Sequence, residues 1–166
     1  YTLPAALVIL VVWVMQRKFF QQQESRQRYL LYKENQKNVT PIRFTAYERL
    51  VLFLERITPD SLLVRTQSDS YTAIQLHAAL LTVIRAEYEH NVAQQIYVSA
   101  EAWEVVKNAK ESIVQLINAC AAQVDPQGPS VDLAKAILAT YENSTSAPTM
   151  VAISFLKTEL KTYFSA

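Results

Sequence analysis

Glu87-Tyr88-Glu89-His90 has a spacing that could do chemistry. Glu-x-x-His sets a carboxylate and an imidazole one helical turn apart, as in carboxylate-bridged di-iron bundles. Such a centre needs a second Glu-x-x-His and two further inward glutamates. The chain's other histidine, His77, has Ile74 three residues before it instead of an acid. At about 100° per residue the two histidines also fall on widely separated helix faces. Two histidines do not fill the usual metal-ligand sets. The pattern therefore reads as the polar edge of a helix, with Glu87 or Glu89 pairing with Arg85 or Lys107. No metal and no cofactor is expected. An enzyme with an unrecognised site near Glu87, Glu89 and His90 is a distant alternative.

Other chemistries find less support. The chain has one glycine, Gly128, too few for a phosphate-cradling or dinucleotide-binding loop. Serine, histidine and acids occur without a nucleophile elbow. Cys120 is the only cysteine, so it forms no internal disulfide and suits a reducing compartment. It sits on an apolar stripe and reads as a buried structural thiol. Tyr47, Tyr88 and Tyr141 also fall on helical stripes, as core or interface residues.

The elements that carry these residues are predicted to be helices. Glycine scarcity argues against tight β-turns and doubly wound folds. The abundance of Ala, Leu, Gln, Glu and Lys favours helix. The expected fold class is all-α: an N-terminal transmembrane helix continuing into a helical stalk, then a cytoplasmic helical bundle with a long helical hairpin.

Leu3 to Met15 contains no charged or strongly polar side chain and is followed by Gln16-Arg17-Lys18. Residues 1–20 read as a membrane anchor. Fifteen residues rise only about 22 Å, against a hydrocarbon core of about 30 Å. The apolar run is accordingly expected to begin a few residues before Tyr1. Trp13 suits an interface, and Arg17 and Lys18 can snorkel to headgroups. Residues 21–40 form a basic stalk or linker, helical on propensity, with a flexible tether as the other reading. From Arg17 to Arg43 there are seven basic residues against Glu24 and Glu34, whereas the remainder is mildly acidic. Basic residues flanking a membrane helix stay in the cytoplasm. The expected placement is thus a single-pass inner-membrane protein, N-terminus outside and bundle in the cytoplasm. Arg17, Lys18, Arg26 and Arg28 would meet anionic headgroups. That accounts for the basic arm more simply than nucleic acid, and no nucleic-acid partner is expected.

Residues 41–123 are expected to form the helical core domain. One helix covers 42–57, with Phe44, Tyr47, Val51 and Leu54 at 3-4-3 spacing. The apolar run Leu50 to Leu54 predicts cover on more than one side. Thr58-Pro59-Asp60 restarts a short helix, and Ser68-Asp69-Ser70 supplies caps. A long helix follows over 71–97, with Ile74, Leu81, Ile84 and Tyr88 in one row and Leu76, Leu80 and Val83 in the next. Ser99 opens another helix, on which Ala102, Val106, Ala109, Ile113, Leu116 and Cys120 repeat at 4-3-4-3-4. This seam predicts an intramolecular helical hairpin, with a homo-oligomeric coiled coil as the alternative. Its polar face offers a Lys107–Glu111 pair. Residues 124–166 are expected to form a C-terminal helical pair docked on the core. Ser130 would cap the first of these helices, and Pro148 opens the second, striped by Ile153, Leu156, Leu160 and Tyr163.

Several segments carry a family resemblance. They are Ala46-Tyr47-Glu48-Arg49-Leu50, Leu52-Phe53-Leu54-Glu55-Arg56-Ile57, Ile84-Arg85, Glu89-His90-Asn91, Gln94-Gln95-Ile96-Tyr97-Val98-Ser99, Ala102-Trp103 and Ala109-Lys110-Glu111. Over roughly residues 1–120 the chain resembles a family of single-pass, helical-domain inner-membrane proteins of Bacteroidota. The resemblance implies an anchor and a cytoplasmic helical domain. It brings no assigned activity and no catalytic residues. The polar and aromatic residues Arg85, Glu87, Glu89, His90, Gln94, Gln95, Tyr97 and Trp103 form the candidate partner surface. The expected function is a non-catalytic accessory or scaffold subunit of a membrane-protein complex, with other membrane subunits as partners. A self-assembling, homo-oligomeric membrane organiser is the alternative.

Overall fold

A computed structural model describes residues 13, 15–18, 40–144 and 147–165, the side chains of the last two excepted. The chain divides into two compact units, Tyr1–Ile42 and Arg43–Ala166. In the first, residues 15–18 are helical and exposed, and the Arg17 guanidinium lies 4.5 Å from the centre of the Trp13 ring. Most of the expected anchor and stalk, including Arg26 and Arg28, lies outside the described residues. Among the described residues, no helix is long and apolar enough to cross a membrane.

The described residues are mostly helical, and none lies in a β-strand beyond an isolated Thr72–Pro129 bridge. The helices are α1 (residues 40–57), α2 (Pro59–Thr66), α3 (Ala73–Asn91), α4 (Ala100–Ala121), α5 (Ser130–Glu142) and α6 (Pro148–Ser165). A 3₁₀ helix, Val92–Ile96, joins α3 to α4. Pro59 and Pro148 open their helices, where a missing N–H costs nothing.

α4 is packed on several sides, touching α3, α5 and α6. Ala102, Val106, Ala109, Ile113 and Cys120 of its expected seam are buried. Ile117 completes the row, and Leu116 is only half-buried. The seam is therefore covered within the chain and is not free for a coiled coil. α6 lies along α4 and contributes Ala152, Ile153 and Leu156 to the same core. A buried polar knot ties three elements together. Tyr141 and Thr149 hydroxyls meet at 2.9 Å, and Thr58 reaches Thr149 at 3.4 Å.

Several local expectations change. Thr72, not Ser68–Ser70, caps α3: its hydroxyl accepts from Gln75 N–H while the Gln75 side chain accepts from Thr72 N–H. This capping box starts the helix two residues after Tyr71. The next free donors, Ala73 and Ile74 N–H, bond to the Gly128 and Pro126 carbonyls. The long helix also ends early, at Asn91, whose side-chain amide donates to the Glu87 carbonyl before the backbone tightens into the 3₁₀ turn. The buried row of α3 is Ala73, Leu76, Leu80 and Ile84, and Ile74 is exposed. On α1 the run Leu50–Leu54 is covered on one side, leaving Leu52 54% exposed. Ser130 does not cap α5. It is the first helical residue, and its hydroxyl donates to the Ser68 carbonyl across the paired loops.

Gly128 approaches its own turn closely. Its N–H bonds to the Asp125 carbonyl, and a Cβ here would lie 3.2 Å from that oxygen. Asp125 also accepts from Gln127 N–H, closing an Asx turn.

Candidate interaction surface

The polar residues grouped in sequence on α3 separate in space. At about 100° per residue, Glu87, His90 and Asn91 share one side, and Arg85, Tyr88 and Glu89 share another. The first side faces α1 and α2. The Nε and Nη2 of Arg56 both reach one carboxylate oxygen of Glu87, at 2.7 and 2.6 Å. Arg65 of α2 approaches the same oxygen at 3.4 Å and also donates to the Arg56 carbonyl. Arg49, about two turns before Arg56 on α1, donates to the His90 carbonyl at 3.0 Å. Glu87 thus pairs with arginines of α1 and α2, not with Arg85 or Lys107. Arg85 lies on another side of α3, and Lys107 is on α4. Lys107 instead meets Glu104 at 2.7 Å, not Glu111, and this hydrogen bond holds its ammonium pKa above the ordinary lysine range.

Together these residues make a cleft of about 220 Å³, lined by Arg49, Leu52, Phe53, Arg56, Glu87, His90 and Asn91. Its apolar residues come from α1 and its rim is arginine-rich. With Arg65 alongside, cations outnumber the single acid. Such a surface can hold an acidic or amphipathic partner, because arginine is enriched at interfaces and its charge complements acidic groups.

The second side of α3 meets α4. Tyr88 stacks on Trp103 with ring centres 5.7 Å apart and also meets Phe53 at 6.1 Å. Lys110 Nζ lies 4.5 Å above the Tyr88 ring and 2.6 Å from Glu111. Arg85 lines this shallow cleft. Trp103 is therefore a core residue, buried where α3 meets α4, and is withdrawn from the candidate surface. Gln94, Gln95 and Tyr97 leave the phase of α3 because they sit in or just after the 3₁₀ turn. Gln95 is exposed, and the Tyr97 carbonyl accepts from Arg43 Nε at 3.1 Å. Glu89 and His90 are exposed. His77 meets Asn118 at 2.8 Å, at the other end of α3. Among the described residues, no group of three or more His, Cys, Asp or Glu side chains could hold a metal ion.

Arg49, Leu52, Arg56 and Arg65 are the surface residues that the sequence reading passed over. A signal was available: Arg49 and Arg56 are seven residues apart, on one face of a helix, with Leu52 and Phe53 between them. A second polar contact joins α1 to α6. Tyr47 donates to Glu159 at 2.8 Å, Tyr163 meets the same oxygen at 3.4 Å, and Arg43 lies 4.0 Å over the Tyr163 ring. Burial, reinforced by the Glu159 carboxylate, pushes the Tyr47 phenol well above its ordinary pKa.

No curated protein and no solved structure matches this chain. A family of unknown function, DUF7935, matches residues 1–163. By that match, which takes in the α1–α3 cleft and nearly all of α6, the chain belongs to the DUF7935 family.

Proposed function

We propose that this protein is a membrane-anchored, non-catalytic accessory or scaffold subunit that presents its helical bundle to other membrane-protein subunits at the cytoplasmic face. In this reading residues 1–20 anchor the chain, the basic segment 21–40 lies against anionic headgroups, and the bundle does the binding. The α1–α3 cleft carries the proposal: exposed Leu52 beside Arg49 and Arg56, backed by the Arg56–Glu87–Arg65 cluster. Arginine is enriched at interface hot spots, and covering Leu52 would remove apolar area from water.

The test is to extract the native protein from its own membranes in mild detergent and measure the mass of the intact assembly. The expected result is a stoichiometric set of larger membrane subunits, lost in Leu52→Asp and Arg49→Glu variants that keep their helical circular dichroism. A lone monomer would overturn the reading. A pure homo-oligomer would replace it with the self-assembling organiser.

A further inference from the structure

The exposed face of α1 sorts its charges into rows. Leu52 lies at the middle of that face, 54% exposed. At about 100° per residue, Arg56 and Arg49 lie about 40° and 60° to one side of Leu52, and Glu48 and Glu55 about 40° and 60° to the other. All four charged residues are exposed. Each like-charged pair is seven residues apart, or about two turns, so the face carries a basic row and an acidic row with an apolar residue between them.

A solvated helix gains by setting opposite charges three or four residues apart, where the side chains meet. This stretch of α1 does not. Its closest opposite charges, Glu48–Arg49 and Glu55–Arg56, are adjacent in sequence and do not face each other. The arginines lean toward α3, Arg49 to the His90 carbonyl and Arg56 to Glu87. Glu48 and Glu55 make no ion pair among the described residues. The cleft of about 220 Å³ between α1 and α3 opens on the arginine side of Leu52.

We propose that this face of α1 receives a cytoplasmic amphipathic helix of a partner subunit that carries both signs of charge. The partner's apolar row covers Leu52 and enters the cleft, an acidic flank meets Arg49 and Arg56, and a basic flank meets Glu48 and Glu55. An amphipathic helix laid in a groove is a recurring mode of recognition, and flanking charge rows select the partner. Charge complementarity argues against an anionic lipid surface or a nucleic acid, whose phosphates Glu48 and Glu55 would repel. A second copy of the chain would set cleft against cleft and bring no projecting apolar row to fill either. The inference rests on the accessory-subunit reading above and adds the form of the partner.

The experiment uses the full chain in mild detergent and fluorescein-labelled helical peptides, read by anisotropy. The peptides share one row of leucines at the helical period and differ in their flanks: glutamate on one and lysine on the other, glutamate on both, or lysine on both. Turning a helix end for end exchanges its flanks, so one mixed peptide serves either direction of binding. The expected result is that the mixed peptide binds several-fold tighter than each single-sign peptide. Glu48→Lys with Glu55→Lys should move the preference to the all-glutamate peptide, a switch that a misfolded chain would not produce. Tightest binding of a single-sign peptide to the wild type would overturn the two-row docking. Equal binding of all three, or of none, would overturn the docked helix. These failures leave the accessory reading in place, since the mass of the native assembly decides it. Self-association of the wild-type chain that is lost in the Glu48→Lys, Glu55→Lys variant would put a second copy on the face and overturn the partner helix.

Discussion

The seam of α4 and the polar end of α3 behave in opposite ways. On α4, residues spread over five turns converge on one buried row. On α3, residues adjacent in sequence part to different neighbours: Glu87 to the arginines of α1 and α2, Tyr88 to Trp103 on α4, and Glu89 to solvent. Apolar burial is non-directional and roughly additive in area, so a repeat at the helical period is enough to organise it. A carboxylate or guanidinium needs a partner at hydrogen-bond distance and angle. That partner comes from whichever helix packs alongside.

Breaking the seam should have the largest effect. Ile113 is fully buried. Ile113→Ala should cost about 2–5 kcal/mol, from lost burial and the cavity left behind, read as a lower midpoint in urea unfolding. A cost within the range of a surface substitution would mean that α4 is not the centre of the core.

An intermediate effect is expected where a polar contact is buried. Tyr47→Phe removes the bond to Glu159, whose other carboxylate oxygen is buried without a partner among the described residues. The expected loss at neutral pH is about 1 kcal/mol. The pH dependence has a definite sign. The folded phenol has a raised pKa, so the unfolded chain ionises first, near pH 10. Tyr47 therefore contributes stability that is complete below about pH 10 and falls as the pH rises beyond it. Alkaline unfolding curves should show a shallower decline for Tyr47→Phe than for the wild type. Parallel curves would remove Tyr47 from that limb.

The smallest effect belongs to the α3 cluster. A double-mutant cycle on Arg56 and Glu87 should give a coupling of about 0.2–1 kcal/mol that shrinks with added salt, because the arginine is substantially exposed. A larger, salt-insensitive coupling would mean that the cluster holds the bundle together and is not chiefly a surface for partners.

Legibility in the sequence followed the same division. The all-helical class, most of the α4 seam, the Ser99 cap and the Pro148 start could be read directly; of the expected α6 stripe, Ile153 and Leu156 are buried, Leu160 is half-buried and Tyr163 is exposed. The helix ends near Tyr71 and Tyr97 were misplaced. Thr72 outcompeted three better-placed capping residues, because Gln75 completes its capping box and the 126–128 loop takes up the next two N–H groups. Tryptophan is enriched at interfaces as well as in cores, so residue type alone does not place Trp103. Its contact with Tyr88 is what distinguishes the two.

Periodicity and composition were thus enough for helices, most of the buried row of α4 and the apolar run that precedes a basic segment. These depend on residue type and on a fixed turn of about 100°. The Arg49–Arg56–Arg65 surroundings of Glu87 and the inward turn of Glu159 needed the packed bundle. Each depends on which side of a helix a neighbour covers, and the one-dimensional pattern does not record that.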